Sequence, residues 1–510
     1  MKHLLLIPCL ALLLSFTAHA QTFCLAVGGM GLDRAQSIVQ TSDGGYAIAG
    51  RTTSFGAGSY DFYIVKLDST GTVQWTRTVG GVGNDRAFSL VQTSDGGYAI
   101  AGYTFSFGAG NWDYYIVKLD STGALQWTRT VGGVSDDRAL SLVQTSDGGY
   151  AIAGWTYSFG AGIEDAYIVK LDSTGALQWT RTVGSVSNDR ALSLVQTSDG
   201  GYAVAGATIF YGAGNWDYYI MKLDPTGIVQ WTKTVGGAGD EWAYSLVQTS
   251  DGGYAIAGLT TSFGAGSSDF YIVKLDSMGS LQWTRTVGGI NSDSGCSLVQ
   301  TNDGGYTIAG YAYSFGAGLA DAYIVKLDPA GTVQWTKIVG GVGTDYALSI
   351  VQTTDGGFAI AGYSDSFGAG IEDAYIVKLD PNGNTCCSSG SGGTSGTGGI
   401  SGSGGTSGTG GVSGSGGTAA SGGILTVDCN TVGIEPLSPV VSSSILNVHP
   451  NPTTGVFTVH GQGTISVFDL LGNLLLSEPV NRQVDLSAFP NGIYVVKVDS
   501  TTIKLILAND

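Results

Sequence analysis

Hydrophobic and polar positions follow one order along most of the chain and repeat it every 52 residues. A short apolar run such as SLVQTS (89–94) leads into a polar Asp-Gly-Gly. YAIAGYT (98–104) then alternates, SFGAG (105–110 region) breaks the alternation, and DYYIVKLD (113–120) is a continuous run of aromatic and β-branched residues. STG or PTG interrupts again, LQWTRTV (125–131) runs back, and a glycine-rich link leads to the next unit. Alternation with period two predicts a half-buried strand, and an unbroken apolar run predicts a strand covered on both faces. The glycines predict turns, because they accept positive φ without steric cost. No stretch shows a helical period.

Asp-Gly-Gly-aromatic begins at Asp43, Asp95, Asp147, Asp199, Asp251, Asp303 and Asp355. A fixed period of this size signals a repeat architecture, and four antiparallel strands per unit make a propeller blade. Six units end in Gln-Trp, at Trp75, Trp127, Trp179, Trp231, Trp283 and Trp335, whereas the seventh has Cys387 in that slot. The missing piece lies at the other end. QTFCLAVGG (21–29) aligns with VQWTRTVGG, with Phe23 in the tryptophan slot. Residues 21–383 number 363, one short of seven periods. The expected fold is therefore all-β: a seven-bladed propeller of four-stranded repeats, closed by the N-terminal strand, plus a small C-terminal β-sandwich-like domain. Closure removes the unpaired edge that an open array would expose. The tryptophans are expected to pack between blades as core.

LDSTGxxQW resembles the tryptophan-docking hairpin of quinoprotein-type propellers, which has one more residue between Asp and Gly; the resemblance implies the fold, and no cofactor is assigned from it. SFGAG resembles the integrin-type propeller repeat, but the Asp-rich calcium loop of that family is absent.

The ends differ in composition from the ring. MKHLLLIPCLALLLSFTAHA reads as a signal peptide over residues 1–20, with Lys2, an apolar stretch from Leu4 to Phe16 and Ala18-His19-Ala20 as cleavage site. The propeller is assigned to residues 21–387. Residues 388–423 are nearly all Gly, Ser and Thr, which predicts a flexible linker with a reach of about 30–36 Å. A spacer at 424–439 precedes a small β domain at 440–510. That last segment resembles the C-terminal sorting domain of type IX secretion cargo, the Por-type domain of Bacteroidetes-like bacteria. The matching residues are Pro450, Asn451, Pro452 and Gly455, then Phe468-Asp469-Leu470-Leu471-Gly472, then Pro490-Asn491-Gly492-Ile493-Tyr494. The resemblance implies passage across the outer membrane through type IX machinery, followed by release or surface attachment. No segment after the signal is long and apolar enough to span a membrane.

Composition narrows the chemistry. The net charge of −18 disfavours nucleic acid as a partner. The histidines are His3, His19, His449 and His460, so the ring holds no histidine base, triad or histidine-ligated metal. Glu164, Glu241 and Glu372 are its only glutamates. Cys24 lies near the point where Cys386 and Cys387 leave the ring, and a disulfide from Cys24 to one of those two is expected in an exported protein. The repeated aspartates, including Asp61 and its six equivalents at the start of the third strand, read as turn caps. No metal site and no cofactor are expected.

The copies differ in a few places only. After GAG stand Tyr60, Trp112, Glu164 and Trp216; after AG stand Arg51, Tyr103, Trp155 and Tyr311. Arg34, Arg86, Arg138 and Arg190 open four consecutive first strands, and Trp242, Ser294 and Tyr346 replace them in the rest. These positions share one rim if strands run from the axis outward, with each Arg paired to its Asp neighbour or free for a ligand. Tyr60, Tyr103, Trp112, Trp155, Glu164, Trp216 and Tyr311 are the candidate ligand-binding residues. The expected function is a monomeric, non-catalytic binding module for extracellular glycan or protein. The alternatives are a polysaccharide-degrading enzyme, which needs two carboxylates about 5–10 Å apart, and a structural spacer.

Overall fold

A computed structural model describes residues 22–368 and 370–386 throughout; beyond them it describes the strands and a few of their side chains. The signal segment 1–20, Cys387 and the sorting-motif residues Pro450, Asn451, Pro452, Gly455 and Gly472 lie outside the described residues. Gly492 and Tyr494 fall in the strand Gly492–Val498. Among the described residues no helix is long and apolar enough to cross a membrane.

The ring is a seven-bladed β-propeller of four-stranded antiparallel blades. Blades are numbered from the one that begins at Asp33. In blade 2 the strands are Asp85–Gln92, Tyr98–Thr104, Asp113–Leu119 and Leu125–Gly132. First strands of neighbouring blades touch and surround the axis. The first strand begins four residues before SLVQTS because its pairing with the second shifts register between Ala87 and Ser89. Such a bulge hides the alternation that would mark a strand. The third strand is wholly buried, as its unbroken apolar run requires.

The closure has the form the sequence predicts. Phe23–Gly28 pairs with Asp373–Leu379 as the outer strand of blade 7, with Phe23 opposite Lys378 and Leu25 opposite Ile376. Trp75 stands opposite Lys66 in the same register in blade 1.

The tryptophans do pack between blades, but each is half-buried rather than enclosed. Trp75 meets Tyr98 of the next blade edge-on, with centroids 5.6 Å apart. It also lies on the hairpin turn at Gly123, whose φ of 80° suits glycine and where an added Cβ would meet the indole at 3.1 Å. Arg77 covers the outer side, its Cζ 5.3 Å from the indole centroid, and its Nε donates to Gly123 O at 3.0 Å.

The Asp-Gly-Gly turn is capped as expected. Asp43 Oδ1 accepts from Gly45 N at 3.0 Å and from Thr41 Oγ1 at 2.5 Å. Its other oxygen pairs with Lys66 Nζ at 2.8 Å, and the lysine side chain is 4% exposed. Every blade repeats this pair. Asp61 caps the SFGAG loop, its Oδ2 accepting from Gly58 N at 3.0 Å.

Within residues 388–423 the structure describes short strands only. Strands Ser389–Gly390, Thr394–Gly396, Ile400–Gly402, Thr406–Gly408, Val412–Gly414 and Thr418–Ala420 pair with the outer strands of blades 6, 5, 4, 3, 2 and 1 in that order. Leu425–Asp428 then pairs with Phe23–Gly28 of blade 7. Each outer strand offers a row of unpaired backbone groups to which such a short strand can pair.

Residues Gly433–Asp510 form a separate compact unit. Among the described residues it holds a three-stranded sheet and a four-stranded sheet, the latter built from Thr464–Phe468, Leu474–Pro479, Gly492–Val498 and Thr501–Leu507.

Candidate functional site

Each loop between second and third strands lies beside the link that enters the next blade. Asp85 N donates to Tyr60 O at 2.7 Å, Asp189 N to Glu164 O at 2.7 Å, and Asp33 N to Glu372 O at 2.8 Å. The positions at which the copies differ therefore converge on one end of the axis.

At that end the two halves of the ring carry different chemistry. Cross-strand partners are Arg34 and Arg51 in blade 1, Arg86 and Tyr103 in blade 2, and Arg138 and Trp155 in blade 3. The guanidiniums interleave with rings: Arg34 over Tyr363 at 4.1 Å, Arg86 over Tyr60 at 4.7 Å, and Arg138 over Trp155 at 4.8 Å. Arg190 lies 5.2 Å from the Trp216 ring and 5.4 Å from that of Trp242. Contacts of this kind contribute roughly 0.5–2 kcal/mol each. Blades 6 and 7 carry tyrosines instead. Tyr346 lies 4.2 Å from Tyr311 and 4.8 Å from Tyr363 between ring centroids, and its hydroxyl is 2.6 Å from that of Tyr313. Burial is the main cause that pushes the Tyr311 phenol up to about 12, so it stays neutral.

A cavity of about 380 Å³ opens between blades 2 and 5, a size at which small-molecule sites begin. Arg138, Arg190, Tyr103, Trp155, Trp242 and Tyr244 supply its polar and aromatic walls. Of the candidates read from the sequence, Tyr103 and Trp155 line it, 5% and 7% exposed. Tyr60, Trp112 and Trp216 do not line it; they pack against the arginines. Tyr311 does not line it; it lies in the adjoining blade 6 and packs against Tyr346. Glu164 is 1% exposed; its Oε1 accepts from Arg190 Nη2 at 2.8 Å and from Tyr157 OH at 2.6 Å. Phe88 and Tyr244 line the cavity and were not singled out from the sequence. The signal was present, since the same first-strand position reads Gln36, Phe88, Leu140, Leu192, Tyr244, Cys296 and Leu348 around the ring.

The arginines do not all find the neighbouring aspartate. Arg138 does, its Nη2 lying 2.9 Å from Asp136 Oδ2. Arg34 pairs instead with Glu372 across the closure, Nη2 to Oε1 at 2.7 Å, and Arg190 with Glu164. Among the described residues Arg51 and Arg86 have no carboxylate partner, and the buried Nε atoms of Arg51, Arg86 and Arg138 have no hydrogen-bond acceptor. Burial first, and then the charges of Arg34 and Arg86, lower the pKa of Arg51.

Two cysteine assignments separate. Cys24 is disulfide-bonded, with its partner outside the described residues, and Cys386 is a free thiol whose Sγ lies 3.8 Å from Cys24 Sγ. Cys386 is therefore removed from the disulfide candidates. Burial pushes the Cys296 thiol up to about 12, so it is no nucleophile at neutral pH. Among the described residues no group of three or more metal-ligating side chains comes together.

Comparison with known proteins agrees with this architecture. Residues 447–507 match the family described as secretion system C-terminal sorting domain. Residues 41–73 and 249–281 match the domain of unknown function (DUF5122) beta-propeller. The regulatory protein FlaEY of Caulobacter vibrioides is 28% identical over 208 residues, covering 36% of this chain and 21% of that protein. The chain thus spans about a fifth of the curated relative it matches. Among solved structures, puromycin hydrolase is similar with a TM-score of 0.40 at 13% identity, covering 68% of this chain and 52% of that one. Sqt1 from Chaetomium thermophilum has a TM-score of 0.39 at 12% identity, covering 70% and 98%.

Fold and repeats define a seven-bladed β-propeller whose blades differ at one axial end. The chain is a β-propeller repeat protein that carries a C-terminal secretion sorting domain, and it is an exported protein.

Proposed function

We propose that the propeller is a non-catalytic binding module that holds an extracellular polymer, glycan or protein, across the axial end where the blades differ. The observation that carries this reading is the break in sevenfold symmetry. The backbone, the Lys–Asp pairs and the interblade tryptophans repeat from blade to blade, and the variation gathers round one cavity walled by aromatics and arginines. A scaffold alone has no use for that asymmetry, whereas surface loops and strand ends on a rigid frame are where recognition is usually built. The sorting domain acts with secretion machinery of type IX, and the propeller is released or held at the cell surface. The molecule acts as a monomer after loss of its signal peptide.

The three glutamates of the ring support binding over glycoside hydrolysis. Glu164 and Glu372 are committed to Arg190 and Arg34, and Glu241 is fully buried against Thr260 Oγ1. A hydrolase needs an acid and a base or nucleophile facing one bond. A glycan-binding screen run beside a reducing-sugar release assay tests the reading. Binding without release is expected; release makes the protein an enzyme, and absence of both makes it a spacer. Trp242→Ala is expected to weaken binding about tenfold with the fold intact, and unchanged affinity removes the cavity from the site.

A further inference from the structure

We infer that the axial site takes an acidic polysaccharide, with Arg51 and Arg86 receiving the carboxylates of uronic acid units; this rests on the binding role proposed above. Five guanidiniums stand in one arc over blades 1 to 4, and three of them have carboxylate partners. Arg51 and Arg86 are left over, in a chain whose net charge is −18. Nothing in the fold calls for them, since the equivalents of Arg51 in the other blades are uncharged and blades 5 to 7 put Trp242, Ser294 and Tyr346 where Arg86 stands. Arg51 lies directly opposite Arg34 across the blade 1 strands, and like charges so placed repel. Three consecutive buried Nε–H groups without acceptors point the same way. A buried donor left unsatisfied is costly and marks guanidiniums that the fold itself does not fully serve, and an anion beside their outer nitrogens relieves the repulsion. The guanidinium fork matches a carboxylate in two-point geometry.

The walls select the carrier of that carboxylate. Tyr103 stands opposite Arg86 across the blade 2 strands and lines the cavity, Tyr60 and Trp112 lie under the Arg86 guanidinium outside it, and Trp155 and Trp242 wall the cavity beside Arg138 and Arg190. A pyranose uronic acid has a flat C–H face for an aromatic ring and a carboxylate fixed at the ring's edge. The side chain of an acidic peptide has the carboxylate without the face and loses more rotamer freedom on binding.

The probes are polygalacturonic acid, neutral galactan and poly-glutamate, tested by calorimetry on the full exported chain. Polygalacturonate is expected to bind, more weakly as salt rises. Arg51→Gln and Arg86→Gln are each expected to lower that affinity tenfold or more, and Arg86→Lys to retain more of it than Arg86→Gln. Thermal melts of each variant separate loss of the site from loss of the fold. If galactan binds equally well and the glutamine variants change nothing, the acidic ligand is wrong while the binding role stands. If poly-glutamate binds as tightly and with the same losses, the partner is an acidic protein and the glycan assignment falls. If none of the three binds, and a wider glycan screen is also blank, both readings fall.

Discussion

Phe23 meets Tyr46 edge-on, with ring centroids 5.7 Å apart and planes at 69°, and so does for the closure what Trp75 does for blade 2. The seam between blades 7 and 1 is knitted like the others. Ile38 N donates to Ser349 Oγ at 3.1 Å where Leu90 N donates to Ser37 Oγ at 3.1 Å. Phe23→Ala removes a ring that is 2% exposed. It should cost about 3–5 kcal/mol, read as a lower urea midpoint with an unchanged m-value. Deleting residues 22–28 uncovers the blade 7 edge and should raise the apparent size relative to the parent, or cause aggregation, by size-exclusion chromatography. A deletion variant that elutes and melts like the parent would refute the closure.

The disulfide at Cys24 ties the first strand to a cysteine outside the described residues. Cys24→Ser should lower stability by about 2–4 kcal/mol under oxidising conditions. Cys386→Ser should have little effect. Alkylation of the unreduced protein followed by mass mapping should label Cys386 and leave Cys24 unlabelled; a labelled Cys24 contradicts the pairing.

Blade count, strand order and closure were legible because each blade writes the same hydrophobic order and the copies check one another. The Phe23 offset alone identified the seam. Three features were less legible for physical reasons. Asp85–Gln92 starts earlier than its alternation does, because the bulge at Ala87/Ser89 puts consecutive polar residues in a strand. The short strands Thr394–Gly396 and Ile400–Gly402 lie in a stretch with the composition of coil, and their pairing depends on edges offered by strands far away in sequence. The site was half legible. Variation between copies located the rim, but not which arginine takes which carboxylate: Arg34 reaches Glu372 of the neighbouring blade 7, the same repeat register as Arg190 and Glu164, and only closure brings the two ends of the chain together.

Lys66 and its six equivalents are buried lysines with one exposed partner each. Lys170 Nζ lies 2.9 Å from Asp147 Oδ2 and donates to Leu171 O at 3.0 Å. Lys170→Ala strands that carbonyl and leaves a gap, and should cost about 2–3 kcal/mol. Lys170→Met keeps the packing of the stem and should cost less. Losses at Lys66 and Lys222, in non-adjacent blades 1 and 4, should add. Urea denaturation of the single and double variants measures this, and a loss under about 0.5 kcal/mol for Lys170→Ala would make the pair ornamental.

Two sets of carboxylates give stability an optimum in mild acid. Desolvation works to raise Asp95, but hydrogen bonds from Thr93, Lys118 and Gly97 outweigh it and hold the group at about 2. Asp43, Asp147, Asp199, Asp251 and Asp303 are held at about 2 by the same contacts. Depressed groups stabilise the fold above their unfolded value near 4, and that contribution is lost as pH falls from about 4 to about 2. Asp113 and Asp165 shift the other way, to about 6, through desolvation first and then the neighbouring Asp137 and Asp189. Raised groups bind their proton more tightly when folded, so their contribution is present below about 4 and lost as pH rises to about 6. The melting temperature should therefore peak near pH 4–5 and fall on both sides. Asp113→Asn, which is neutral at every pH, should flatten part of the fall between 4 and 6 and leave the acid limb unchanged. A melting temperature that climbs steadily from pH 2 to 7 in the parent, or an Asp113→Asn profile parallel to the parent's throughout, would show that these buried carboxylates are not protonated in the folded ring.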